Sequence, residues 1–199
     1  AAYSNLGLMT KLLKFNNTFT KAPESFGTNF NFRIKNKNGG ILKYYGSFDT
    51  NRLGLQDESL EPETDFDNTS LKGKNTFHNI SYRQKLGRYL VNLGSSYTFN
   101  NNLIDLSNTF QESEFNPNSI DLTGNYFNAK GTLERKINKI SAIRGGIEFN
   151  QTHENTEVAV SSVPYLFHDR ITSVFAETDL GFSNHFSAKV GLRSEYSTA

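Results

Sequence analysis

The sequence predicts an all-β fold, an antiparallel up-and-down meander of about eight long strands forming part of a transmembrane β-barrel. Three observations lead there. Long stretches alternate apolar with polar residues, and in a strand alternate side chains point to opposite faces. These stretches run to about ten residues or more, the ~9–11 that a tilted spanning strand needs, whereas globular strands cluster near 5–6. Turns of a few residues also alternate strictly with long polar connections. A sheet trimmed at one end and elaborated at the other is the pattern of outer-membrane barrels.

The elements follow in order. Residues 1–5 read as the tail of a strand, and a long connection covers 7–27. Strand 29–35 offers Phe30, Phe32 and Ile34 to one face. A turn over 36–40 leads to strand 42–49, with Leu42, Tyr44 and Phe48. After the connection 52–71, strand 76–85 carries Ile80 and Tyr82. The turn Leu86, Gly87, Arg88 joins it to the clearest strand, 89–99. There Tyr89, Val91, Leu93, Ser95, Tyr97 and Phe99 oppose Leu90, Asn92, Gly94, Ser96 and Thr98. The connection 101–120 precedes strand 121–137, with Phe127, Ala129 and Leu133. A turn at Asn138 and Lys139 opens strand 140–151, where Ile143, Gly145, Ile147 and Phe149 oppose Arg144, Glu148 and Asn150. The last connection spans 151–168. In the final hairpin, turning at Ser183 and Asn184, Val174, Ala176, Leu180 and Phe182 face with Phe186, Ala188, Val190, Leu192 and Tyr196. Glu177, Asp179, Lys189, Arg193 and Glu195 take the other face. The four prolines fall in the stretches read as connections, where a missing amide donor breaks no ladder.

Aromatics bracket the apolar stretches. Tyr82, Tyr89, Phe182 and Phe186 lie beside the short turns; Phe48, Tyr97, Phe99, Phe149 and Tyr196 lie toward the long connections. Two such rows are the girdles of an outer-membrane barrel, because amphipathic rings favour the headgroup region. A soluble β-sandwich also alternates, but it explains neither the strand length nor the girdles.

Composition bounds the function. The 199 residues suit one domain, 1–199; the hydrophobic fraction is 36% and the mean hydropathy −0.56. No run approaches the ~20 apolar residues of a helical span. A net charge of +1 offers no argument for nucleic acid. The absence of cysteine removes disulfide and thiolate chemistry. The opening residues lack the basic start and apolar core of a signal peptide. The chain stops on Ser197, Thr198 and Ala199, where outer-membrane barrels end on an aromatic residue. Both ends therefore predict an internal part of a longer barrel.

Candidate chemistry is sparse. The connection 52–71 holds Asp57, Glu58, Glu61, Glu63, Asp65 and Asp67; carboxylate oxygens suit hard cations, but a solvated acidic loop is the plainer reading. His153 and His168 flank one connection without a firm third ligand, so no metal is assigned. The pattern around His153 is not that of zinc proteases, whose second histidine lies four residues on. His78 and His185 read as strand or turn residues. Glu148, Glu177, Asp179, Lys189, Arg193 and Glu195 are expected to line a barrel lumen, because charge on the lipid face costs about 2–4 kcal/mol at mid-bilayer. No phosphate loop, nucleophile elbow or metal cluster is present, so neither an enzyme nor a bound cofactor is expected.

One stretch carries a family resemblance. Residues 173–197, SVFAETDLGFSNHFSAKVGLRSEYS, resemble a hairpin of the TonB-dependent outer-membrane receptors, and TKAPES at 20–25 resembles the approach to an early barrel strand in them. The hairpin organisation matches along essentially the whole chain. The resemblance implies a bacterial outer-membrane location and a barrel-wall segment of a receptor importing a scarce nutrient: a metal chelate, an oligosaccharide or a peptide. It implies as partners the membrane lipid, the remaining strands, a plug domain, and a TonB-type energy-coupling complex acting through that plug. Neither plug nor TonB box is visible in these 199 residues. A passive porin-like barrel and a soluble β-rich binding or adhesion module are the competing expectations.

Overall fold

The computed structural model describes residues 1–7, 18–56, 68–107, 119–138, 140–159, 164–182 and 186–198. They form a nine-stranded antiparallel sheet in simple sequence order: β1 (Ala2–Asn5), β2 (Thr18–Lys35), β3 (Ile41–Gln56), β4 (Asn68–Leu86), β5 (Tyr89–Ser107), β6 (Ser119–Lys136), β7 (Ala142–Val158), β8 (Tyr165–Gly181) and β9 (Ser187–Thr198). Among the described residues β1 and β9 do not pair, so the sheet is an open meander, a partial barrel. The predicted eight strands plus a remnant correspond to β2–β9 plus β1.

The short turns lie where the sequence places them. Asn36 closes the first: its side-chain oxygen accepts the Gly40 amide at 2.6 Å, and Gly39 has φ +79°. Leu86 pairs directly with Tyr89 across a two-residue loop, and Gly87 there has φ +60°. Tight hairpins need this left-handed entry to match strand twist, and a β-carbon in that conformation costs roughly 1–2 kcal/mol. Gly87→Val is accordingly expected to lower stability by about that amount, measured by urea unfolding. In the third turn, Ile137 and Asn138 both donate to the Ser141 carbonyl. Lys139 and the fourth turn's Ser183 and Asn184 lie outside the described residues, as do His185 and the six acidic residues of 57–67.

The strands are longer than the sequence suggests. β2 through β8 span 16 to 19 residues, so much of what reads as connection continues the ladder. The cause is cross-strand polar pairing, which serves as well as apolar pairing once both faces are wet. Asn75 donates to Asp49 at 2.9 Å, Asn101 to Asp121 at 2.9 Å, Lys72 reaches Asp105 at 3.4 Å and Arg52 reaches Glu24 at 3.2 Å. Pro23 is a second difference: it lies inside β2, not in a connection. The register of β2 against β3 slips between Thr18 and Lys21 and again between Lys21 and Glu24. Pro23 occupies the second irregularity, where an unpaired residue tolerates the missing donor. The TKAPES stretch is thus bulged strand.

Direct pairing shows which residues share a face. One row runs Ile34, Leu42, Tyr82, Leu93, Gly131, Ile147, Val174, Ser194 across β2–β9. Val91 and Leu192, then Val190, then Leu180, extend this apolar face toward the turns. Every aromatic predicted for the two girdles lies on it. Opposite are Asn92, Glu148, Glu177, Asp179, Lys189, Arg193 and Glu195, as the alternation requires.

The two faces exchange character part-way along the strands. From the turns up to Phe48 and Phe99, the first face is mainly apolar on β2, β3, β5 and β6, with His78 on β4, whereas the same rows on β7 and β8 already carry Gln151, His153, His168 and Arg170. Beyond that it becomes polar, through Lys74, Asn101 and Thr123 and then Arg52, Lys72, Asp121 and Glu157. Over the same stretch the polar face turns apolar in one unbroken row: Leu53, Leu71, Ile104, Ile120, Val158. The apolar band on the first face covers the ten steps from Tyr89 to Phe99. At about 3.3 Å per residue and a tilt near 40°, that is a belt about 25 Å tall.

Among the described residues no large apolar side chain is buried. Leu93, Ile147 and Val174 are 51%, 54% and 57% exposed, whereas Glu148 and Glu134 side chains opposite are 16% and 15% exposed. The polar face is therefore the more enclosed one.

Candidate functional site: an ionic brace on the enclosed face

Five of the predicted site residues are drawn together with residues from neighbouring strands, in two connected chains. In the first, Arg144 on β7 stands between Glu134 on β6 and Glu177 on β8. Its Nη2 and Nε both donate to Glu134 Oε2, at 2.8 and 3.1 Å, and its Nη1 donates to Glu177 Oε1 at 2.5 Å. Lys189 on β9 completes the chain at 2.9 Å from Glu177 Oε2. In the second, Glu148 on β7 accepts from Lys130 on β6 at 3.1 Å and from Arg193 on β9 at 3.3 Å. Arg193 also reaches Glu195 at 2.5 Å and Ser173 Oγ at 3.0 Å. Ser173, whose own hydroxyl donates to Glu195, is fully buried at 0% exposure.

Register positions these groups. Glu134 faces Arg144 and Lys130 faces Glu148 across the third hairpin, while Arg144 faces Glu177 in the next pair. Lys130 Nζ also lies 5.1 Å from the Phe175 ring centroid, a cation over an aromatic face. The two chains border a cavity of about 670 Å³ open on the enclosed side. Four basic and four acidic groups balance, each cation spanning two partners or two strands. Such an arrangement ties β6, β7, β8 and β9 laterally. Of the predicted residues, Asp179 lies directly opposite Lys189, but the Lys189 ammonium is engaged by Glu177.

Lys130, Glu134 and Ser173 are not marked by strand alternation alone. Lys130 and Glu134 are nonetheless equidistant, with Glu148 and Arg144, from a turn near residue 139, so folding the hairpin on paper pairs them. Ser173 had no such signal, since its burial depends on Arg193 and Glu195 one strand away.

His153 and His168 are direct cross-strand partners, with rings perpendicular and centroids 5.5 Å apart. They lie on the first face, beside Asn125. Among the described residues no group of three or more His, Asp or Glu side chains could hold a metal ion. His78 lies in β4, within hydrogen-bond distance of Tyr44 Oη at 2.7 Å. No helix among the described residues is long and apolar enough to cross a membrane, which says nothing about strands.

Comparison of the chain with protein-family models, with curated proteins and with solved structures finds no match.

Proposed function

We propose that this chain is a wall segment of a bacterial outer-membrane β-barrel of the TonB-dependent receptor kind, which imports a scarce nutrient. The observation that carries the membrane reading is the exchange of character between the two faces. A sandwich in water needs one face apolar along its whole length, against a second sheet. A barrel crossing a bilayer needs an apolar exterior only over a belt about 25 Å tall, with a water-compatible exterior above it. The first face has that belt, and then turns to Lys72, Arg52, Asp121 and Glu157. The enclosed face holds the compensated charges a lumen can solvate.

The receptor reading is supported by the final hairpin. Four charged residues of the family-like phrase, Glu177, Lys189, Arg193 and Glu195, supply half of the ionic brace. On this reading nutrient specificity and energy coupling belong to the assembled receptor, with plug and coupling complex as partners.

The test is site-directed lipid quenching in the reconstituted full-length protein. A probe at Val190 is expected to be quenched by brominated lipid and one at Lys189 to be spared. Quenching at Lys189 with none at Val190 would invert the faces and sink the membrane assignment.

A further inference from the structure

We propose that the enclosed face, between the ionic brace and the apolar row at the loop end, carries a binding subsite for a neutral sugar unit, with Tyr126 as its platform. This names a substrate class for the lumen and rests on the barrel reading, since only a closed barrel makes this face a lumen.

The first support is a stratification of charge. All lysines and arginines of the enclosed face lie in the rows nearest the turns, ending with Arg33, Lys43 and Lys130. The next four rows, from that of Asn31, Tyr45 and Asn128 to that of Ser25, Asn51 and Thr156, contain no Lys, Arg or His. Asparagine, serine and threonine dominate them. An anionic ligand, whether phosphate, carboxylate or ferric chelate, would find no counter-charge in those rows. A ligand carrying hydroxyl groups would find amides that donate and accept on one planar group.

The second support is the posture of Tyr126. A β-carbon on Gly124, two residues before it on the same face, would stand 2.8 Å from Tyr126 Cε2 and 2.7 Å from its Oη. The ring therefore lies back along the strand over the glycine. Its hydroxyl donates to Glu154 Oε1 at 2.8 Å, from the residue directly opposite Gly124. The ring is thus fixed by its hydroxyl at Glu154 and by its packing over Gly124. Beside it is a cavity of about 270 Å³, bordered by Asn100, Asn102, Glu154 and Thr156. The negative face of an aromatic ring attracts positively polarised hydrogens, such as the axial C–H groups of a pyranose, while the surrounding amides suit its equatorial hydroxyls. A fixed ring with amides at its rim is complementary to a sugar on both counts.

The experiment uses the full-length protein in detergent. Heat-modifiable gel migration first reports whether the barrel is assembled; its absence in wild type would defeat the barrel reading itself. With the shift present, calorimetry is run with gluco-, manno-, galacto- and xylo-hexaoses as neutral probes, hexagalacturonate as the anionic probe and a neutral hexapeptide. Binding of at least one neutral sugar is expected, with neither of the other two bound. Tyr126→Ala should weaken it about tenfold, while Tyr126→Phe, which keeps the ring, should stay within about threefold. Asn100→Ala offers a second, smaller loss in case Tyr126→Ala fails to show the heat shift. An assembled barrel that binds no neutral sugar, that prefers hexagalacturonate or the peptide, or whose sugar affinity ignores both Tyr126→Ala and Asn100→Ala, overturns the subsite while leaving the barrel standing.

Discussion

Ile147→Arg is expected to stop assembly of the folded barrel, or to weaken it by about 2–4 kcal/mol where assembly still occurs. Ile147 stands mid-belt, between Gly131 and Val174 in direct register, and is 54% exposed on the apolar face. On the membrane reading an arginine there would place its guanidinium in hydrocarbon, with no acidic partner in its row. The same charge at Asn150, three residues on and on the enclosed face, is expected to cost about 1 kcal/mol, the loss of its hydrogen bond from Asn128. Heat-modifiable migration and urea titration in liposomes would compare the two. A disruptive Asn150→Arg beside a silent Ile147→Arg would contradict the assignment of faces.

Gly146→Ala should lower stability by about 1–3 kcal/mol, the usual cost of forcing a methyl into filled space. A β-carbon at Gly146 would come within 2.6 Å of both the Gly131 carbonyl oxygen and Phe175 Cζ. The phenyl ring could swing aside at the expense of its contact with Lys130. The carbonyl belongs to neighbouring β6 and cannot retreat without disturbing the β6–β7 pairing. Gly94→Ala is the control: on the same face, its nearest neighbour would be the Ile80 carbonyl oxygen at 3.9 Å. Urea midpoints of the two variants should separate clearly, and equal midpoints would mean that Phe175 and β6 yield more easily than the geometry implies.

What the sequence made legible was whatever depends on period two and on turn chemistry. Val91, Leu93, Ile147, Val174, Val190 and Leu192 share a face because the alternation is uninterrupted through their strands. The hairpins at Gly39 and Gly87 could be placed because their left-handed residues leave a compositional mark. The loop-end halves of the strands were not legible. From Asn100 to Asn102, or Asp49 to Arg52, both faces are polar, so nothing in the pattern separates strand from loop. Those segments stay extended because a partner strand supplies Asp121 for Asn101 and Glu24 for Arg52. Such information resides in the pairing and not in either segment.

The candidate site was half legible for the same reason. Charge alternation singled out Glu177, Asp179, Lys189, Arg193 and Glu195 within one hairpin and Glu148 outside it, although Lys189 turns to Glu177 and not to the Asp179 opposite it. The union of the others with Lys130, Glu134 and Arg144 required the register of two further strand pairs. The row Leu53, Leu71, Ile104, Ile120, Val158 escaped notice because each member stands near the end of its strand, among residues read as connection. Only lateral pairing reveals five scattered residues as one feature.

The missing apolar core has a further consequence on the membrane reading. A globular protein carries its hydrophobic driving force inside and takes it into any buffer. On that reading the apolar side chains of the belt, Leu93, Ile147 and Val174 among them, face lipid, so that term would be set by the surrounding bilayer. The belt height, fixed by the distance from Tyr89 to Phe99, then acts as a gauge. Bilayers whose hydrocarbon thickness departs from it would strain lipid or barrel, at fractions of a kcal/mol per ångström. Stability would vary with acyl-chain length while the sequence stayed constant, making membrane thickness a variable as influential as any single substitution.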